Sequence, residues 1–184
     1  MGEKISILGI SGSLRKGSFN SGALRAAVDL CPDEAQIEVF DIASIPSFNQ
    51  DEDQDPPAII QEFKDRIRAA DAILFATPEY NYSIPGVLKN AIDWASRPYG
   101  QSAWDGKPAA IMGASIGGIA TARAQYDLRK MMVFLNMFPI NKPEVMIGNC
   151  GDKFDAEGNL IDEESKKFIR QMLEALIAWT KKIK

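Results

Sequence analysis

Apolar runs of strand length alternate with segments of helical period along the whole chain, and this alternation limits the fold more than any other feature. Lys4–Ile10, Gln36–Ile42, Ala72–Thr77, Pro108–Gly113 and Pro143–Ile147 are short apolar runs that read as strands. Between them, apolar residues recur at helical spacing: Leu24, Ala27, Val28 and Cys31, then Ile60, Phe63, Ile67 and Ala70, then Leu88, Ala91, Ile92 and Ala95. A longer helix is predicted from about Ile119 to Asn136, and a last one carries Phe168, Met172, Ala175, Leu176, Trp179 and Ile183. Five strands interleaved with five helices imply a parallel sheet covered on both faces, because each crossover between parallel strands lays a helix on the sheet. With 184 residues, no internal repeat and no linker, the reading is one domain over residues 1–184. The polar stretch Ser44–Pro57 is expected as a surface loop, and Trp94 and Trp179 as core residues.

Composition removes several chemistries. The chain contains no histidine. That excludes Ser-His-Asp and Cys-His nucleophile activation, the usual zinc sites and imidazole acid–base catalysis. Cys31 and Cys150 are the only cysteines. Two isolated thiols make no disulfide framework, so both are expected to be inert in a reducing, cytoplasmic setting. The net charge of −4 comes without a basic stripe, so nucleic acid is not an expected partner. No apolar run approaches the ~20 residues of a spanning helix, and no secretory pattern opens the chain, so no membrane association is expected. Gly2 through Ser6 fits the myristoylation pattern, but Ser6 falls inside the first predicted strand. Asn81-Tyr82-Ser83 fits the glycosylation pattern and is discounted for the same cytoplasmic reasons.

In parallel sheets ligands bind beyond the carboxyl ends of the strands, at the point where strand order reverses. Three loops leave those ends with small or polar residues: Ser11–Asn20, Pro78–Pro85 and Ser115–Gly118. The first reads GISGSLRKGSFN from Gly9 to Asn20. Ser11, Ser13 and Ser18 offer hydroxyls, Gly12 and Gly17 allow close backbone approach, and Arg15 and Lys16 add positive charge. The loop ends where a helix begins, so unpaired N–H groups and the positive end of the helix dipole face it. These features point to a phosphate; the alternative is a plain turn with a serine cap. A triphosphate loop needs lysine after its second glycine, and here Ser18 takes that place. The Gly-x-Gly-x-x-Gly dinucleotide fingerprint is absent as well, so a lone monoester phosphate, as in flavin mononucleotide (FMN), fits better.

The second loop, Thr77–Gly86, is stiffened by Pro78 and Pro85 and carries Glu79, Tyr80, Asn81 and Tyr82. Such a loop suits a flat heterocycle read by backbone groups and packed by an aromatic; an ordinary proline-bounded loop is the alternative. The third loop contains Gly113-Ala-Ser115-Ile-Gly117, the nucleophile-elbow pattern of α/β-hydrolases. Without a histidine base that chemistry fails, and the glycines more simply let Ser115 and nearby backbone approach a ligand, or form a small-residue turn. Arg123, Tyr126 and Arg129 share a helix face that is solvated or lies between subunits.

SGSLRKGSFN, TPEYNYSIPGVLKNAIDW and GASIGG together resemble the NADPH-dependent FMN reductase family, and within it the bacterial soluble quinone and chromate reductases. The likeness extends from Lys4 to the last helix. It implies a flavodoxin-like three-layer α/β sandwich whose five-stranded parallel sheet has the order 2-1-3-4-5, with FMN between the first and third strands. It implies that Ser11, Ser13, Arg15, Ser18, Phe19 and Asn20 hold the FMN phosphate. The isoalloxazine would lie along Pro78, Glu79, Tyr80 and Asn81, with Ser115 close by. NADPH or NADH would be the co-substrate, and quinones, or acceptors such as chromate, would take the electrons in ping-pong fashion. A homodimer or tetramer is implied, with Arg123, Tyr126 and Glu144 as interface candidates. A flavodoxin-type electron carrier is the competing reading; the mild net charge and the basic Arg15-Lys16 pair oppose it.

Overall fold

The structure, a computed structural model, describes residues 4–184, so Gly2 of the myristoylation pattern lies outside the described residues. The elements run β1 (Ile5–Ser11), α1 (Phe19–Asp29), β2 (Ala35–Phe40), α2 (Ala58–Ala69), β3 (Ala72–Ala76), α3 (Gly86–Ala95) and β4 (Pro108–Ala114). They continue with α4 (Ala122–Phe134), β5 (Phe138–Pro139), β6 (Val145–Ile147) and α5 (Glu163–Ile183). Every strand pairing is parallel, and the order is β2-β1-β3-β4-β5, with β6 also on β4. The expected 2-1-3-4-5 order and helices on both faces are therefore present.

The two faces separate by strand period. Residues 72, 74 and 76 of β3 and 110, 112 and 114 of β4 pack with α1 and α5, in a cluster that includes Leu24, Met172 and Leu176. Residues 73 and 75 of β3 and 109 and 111 of β4 turn the other way, toward Phe63, Leu88, Trp104 and Leu128 of the opposite layer. β3 and β4 are buried throughout, which is why their sequences read as unbroken apolar runs. Each large aliphatic or aromatic side chain enclosed in this way contributes about 1.5–3 kcal/mol relative to exposure.

The structure differs from the sequence reading at several places. The fifth strand expected at Pro143–Ile147 begins only at Val145, and a further short piece precedes it. Phe138–Pro139 pairs with the start of β4, and Val145–Ile147 pairs with its end. Pro139 and Pro143 have no N–H to give, so the ladder cannot run unbroken between them. α4 begins at Ala122, not Ile119, because Ala120 takes a positive φ of 55° just ahead of it. Trp94 is core as expected, 1% exposed, but Trp179 is 37% exposed and donates its indole N–H to Phe138 O at 2.9 Å. Trp104, in a loop, is wholly buried between Phe63 and Phe75 and donates to Ile92 O at 3.0 Å. The Ser44–Pro57 stretch is tied down along α3: Pro46 O accepts from Asn90 and Trp94, and Asp53 pairs with Arg97. Cys150 is enclosed, and burial pushes its thiol up. Among the described residues, no helix is long and apolar enough to cross a membrane.

Candidate cofactor site

The strand order reverses between β1 and β3. The register sets Ser11 beside Ala76 and Ala76 beside Met112, so β1, β3 and β4 finish at the same end of the sheet. The three loops singled out in the sequence leave from there. All eleven candidate residues (Ser11, Ser13, Arg15, Ser18, Phe19, Asn20, Pro78, Glu79, Tyr80, Asn81 and Ser115) lie at the end of β1, in these loops or in the adjoining first turn of α1.

The first loop is folded by its own hydroxyls. Ser13 N donates to Ser11 Oγ at 3.3 Å, Arg15 N to Ser13 Oγ at 3.4 Å, and Ser11 Oγ lies 3.0 Å from Ser21 Oγ. Ser18 is the N-cap of α1, accepting from Ser21 N, as serine does when its oxygen replaces a missing helical carbonyl. The N–H groups of Gly17, Phe19 and Asn20 find no acceptor among the described residues. Unpaired donors at a helix start, short hydroxyl side chains and the Arg15 guanidinium form a donor set that fits a phosphate dianion. The Arg15 guanidinium donates to Gly17 O at 2.6 Å and lies 5.7 Å from the Phe19 ring centroid, staying on the exposed side of the loop.

Two of the predicted residues use their side chains otherwise. Asn20 is 3% exposed; its amide donates to Ala114 O at 3.0 Å and accepts from Ala114 N at 2.8 Å. Phe19 turns toward Phe154, with ring centroids 4.9 Å apart. Each therefore offers the loop its backbone N–H and not its side chain.

The second loop is a tight hairpin turn. Tyr80 and Ser83 exchange backbone hydrogen bonds at 2.9 and 3.0 Å, and the two residues between them take positive φ, 51° at Asn81 and 67° at Tyr82. This is the primed turn that joins antiparallel strands, at home with asparagine and costly for tyrosine. Ahead of it, Thr77 is buried and donates its hydroxyl to Pro78 O at 2.9 Å.

The Glu79 carboxylate reaches α4. It accepts from Arg123 Nη1 at 2.7 Å, Arg123 N at 2.9 Å and Ala124 N at 3.1 Å. It thereby caps a helix whose own N-cap, Thr121, makes no side-chain cap bond. Burial pushes the Glu79 carboxyl up, but the Arg123 guanidinium and the two N–H groups outweigh it and hold the group below its ordinary value. The Arg123 guanidinium also stacks 4.0 Å from the Tyr82 ring centroid, and Ser83 Oγ bonds the Asp127 carboxylate on the next turn of α4. The Glu79–Arg123 pairing spans 44 positions and left no local mark in the sequence.

The third loop closes the same end. Ser115 N donates to Ile147 O at 2.9 Å, Cys150 N donates to Ser115 O at 3.2 Å, and Ser115 Oγ accepts from Gly117 N at 3.2 Å. Gly113, just before it, is wedged: a Cβ there would lie 2.1 Å from Thr121 Oγ1 and 2.4 Å from Thr77 O. Ile116 and Ile119 stand exposed at the rim.

Residues 5–152 match the model of the NADPH-dependent FMN reductase family. The chain belongs to this family. An NAD(P)H-dependent FMN reductase from Pseudomonas aeruginosa is 55% identical over 186 residues, covering the whole of both chains. A 2-hydroxy-1,4-benzoquinone reductase from a Burkholderia species is 44% identical, covering 94% of each chain. Among solved structures, FerB, a flavoenzyme NAD(P)H:(acceptor) oxidoreductase from Paracoccus denitrificans, superposes with a TM-score of 0.89 at 38% identity. The match covers 97% of this chain and 98% of that one. The donor set of the first loop and the rigid second loop fit the phosphate and the flat ring of the flavin that this family uses.

Proposed function

We propose that the chain folds as one domain that holds FMN at the end of β1 and β3 and works as an NAD(P)H:quinone oxidoreductase. In this reading Ser11, Ser13, Arg15, Ser18 and the N–H groups of Phe19 and Asn20 hold the FMN phosphate. Pro78, Glu79, Tyr80 and Asn81 line the isoalloxazine through their backbone, with Ser115 beside them. The observation that carries it is the meeting of the unpaired N–H groups at the start of α1 with the rigid Tyr80–Ser83 turn at one end of the sheet.

When bound, FMN supplies the redox step, accepting hydride from NAD(P)H and giving electrons to the acceptor in a separate half-reaction. The protein's own part is placement. The first loop neutralises the phosphate, the hairpin presents backbone N–H and C=O groups in a fixed arrangement, and Gly113 brings the backbones of the second and third loops together. No histidine or other free acid–base side chain is needed for this. Chromate joins quinones as a small acceptor able to reach an open site. The two free cysteines fit a cytoplasmic location.

The chain is read as a homodimer or tetramer with α4 at the contact. α4 carries Tyr126, Val133 and Phe134 exposed on the side away from its core residues Ala124 and Leu128. The Glu144 carboxylate faces the Tyr126 hydroxyl and raises its pKa. Arg123, Tyr126 and Glu144 are the polar interface candidates.

The deciding experiment is a visible absorption spectrum of the purified protein with added FMN, taken before and after NADPH without oxygen, and again after a benzoquinone. A flavin band that bleaches with NADPH and returns with quinone, with no other protein present, is the expected result. A protein that takes up no flavin after reconstitution overturns the reading.

A further inference from the structure

Arg123 is bound on two sides by groups of the second loop. Its side chain donates to the Glu79 carboxylate at 2.7 Å, and its guanidinium stacks on Tyr82 at 4.0 Å from the ring centroid. Tyr82 is 70% exposed and has a φ of 67°, a conformation that an aromatic residue seldom adopts unless something holds it there. Three contacts therefore fasten the loop to the first turns of α4: Glu79 on the N–H groups of Arg123 and Ala124, Tyr82 under the guanidinium, and Ser83 on Asp127. Arg123 takes part in the first two.

We propose that Arg123 is a positioning residue that sets the shape of the flavin loop, and through it flavin affinity and reduction potential, without touching the flavin. The inference rests on the reading of Pro78–Asn81 as the isoalloxazine shelf. Its physical basis is that Asn81 and Tyr82 both sit in a sparsely populated backbone region, so the turn keeps its form only while its outer side is fixed. The guanidinium does this as a planar group, pairing with a carboxylate through its edge and with an aromatic ring through its face. An ammonium pairs with the carboxylate and is drawn to a ring by its charge, but it has no plane to lay flat on the ring. Glu79 is the hinge of the arrangement, because one carboxylate both caps α4 and receives Arg123.

The test uses Arg123→Met and Arg123→Lys in the full-length protein, with amide hydrogen exchange of the flavin-free protein as the first readout. Arg123→Met should speed exchange at the Tyr80 and Ser83 amides, which bond each other across the turn. It should also weaken FMN binding by about tenfold, the scale of one hydrogen bond to a charged group, and move the FMN midpoint potential. Arg123→Lys should restore part of the affinity while the turn amides remain faster than in the parent. Unchanged exchange and potential in Arg123→Met overturn the proposal. So does loosening that appears only when sedimentation shows loss of an oligomer, because Arg123 would then act through the assembly. Arg15→Ala separates the two readings. If it weakens FMN binding while Arg123→Met does not, the FMN site at the first loop stands and the positioning role fails; if the parent protein binds no FMN, the site reading itself fails.

Discussion

Asn20 and Ala114, 94 positions apart, hold each other by two hydrogen bonds, amide to carbonyl at 3.0 Å and N–H to amide oxygen at 2.8 Å. The first turn of α1 is thereby pinned to the last residue of β4. The first loop is consequently held in place relative to the third.

Replacing Asn20 by alanine leaves a buried N–H and a buried C=O of Ala114 without partners. The expected cost is about 3 kcal/mol of folding stability, read by urea unfolding of the flavin-free protein. A cost within error of zero means that water repairs both groups and the pin is dispensable.

Gly113 is a second fixed point. A methyl group there meets Thr121 Oγ1 at 2.1 Å and the Thr77 carbonyl at 2.4 Å, and the latter is backbone that cannot rotate away. Gly113→Ala should cost about 3 kcal/mol, the upper part of the usual overpacking range, and should lower FMN affinity because β3 and β4 must separate where their loops begin. Thermal unfolding and flavin titration check the two effects; a variant that melts with the parent contradicts the wedge.

Acid should act partly through Glu79. Its folded pKa lies below the ordinary value, so its stabilisation is complete above the carboxylate range and is lost as pH falls through the folded value. Asp71, held down by Lys184 and the Ser6 N–H against the opposing effect of burial, adds to the same slope. Unfolding free energy measured from neutral pH to about pH 3 should fall less steeply in Glu79→Gln than in the parent. Identical slopes place the proton uptake elsewhere.

Arg15 lies on the exposed side of the first loop, so its removal should spare the fold. Arg15→Ala is expected to leave stability within about 0.5 kcal/mol of the parent. FMN binding should weaken by about 1–3 kcal/mol, the range for bonds to a charged group. Isothermal titration with FMN gives the number. Unchanged affinity means that the phosphate rests on hydroxyls and backbone alone.

Much of this was legible in the chain because burial on both faces writes itself as apolar runs. β3 and β4 are enclosed along their whole length and stood out as Ala72–Thr77 and Pro108–Gly113. The loops were legible because glycine, serine and proline mark backbone form directly. What long-range pairing decides was not. Asn20 looks like one more polar residue of an anion loop, yet its side chain is used up by Ala114. Glu79 looks like a site carboxylate, yet it caps α4. Trp179 carries the right period for a core residue, but its indole edge is needed at Phe138 O and remains near solvent. The split of the last strand had a local sign in Pro139 and Pro143, two residues that cannot donate to a ladder.

That split also bears on how the protein survives crowding. A parallel sheet ends in a row of unpaired backbone groups, which invites a strand from another molecule. Here the edge beyond β4 is two fragments of two and three residues, separated by a stretch that includes a proline. An incoming strand finds too few consecutive hydrogen-bonding groups to settle in register. On the opposite edge strand, β2, Glu38 pairs with Arg66 of the neighbouring helix α2. On the side beyond β4 the sheet is thus poorly suited to growth by addition of strands, while the loops at its carboxyl end keep their own arrangement.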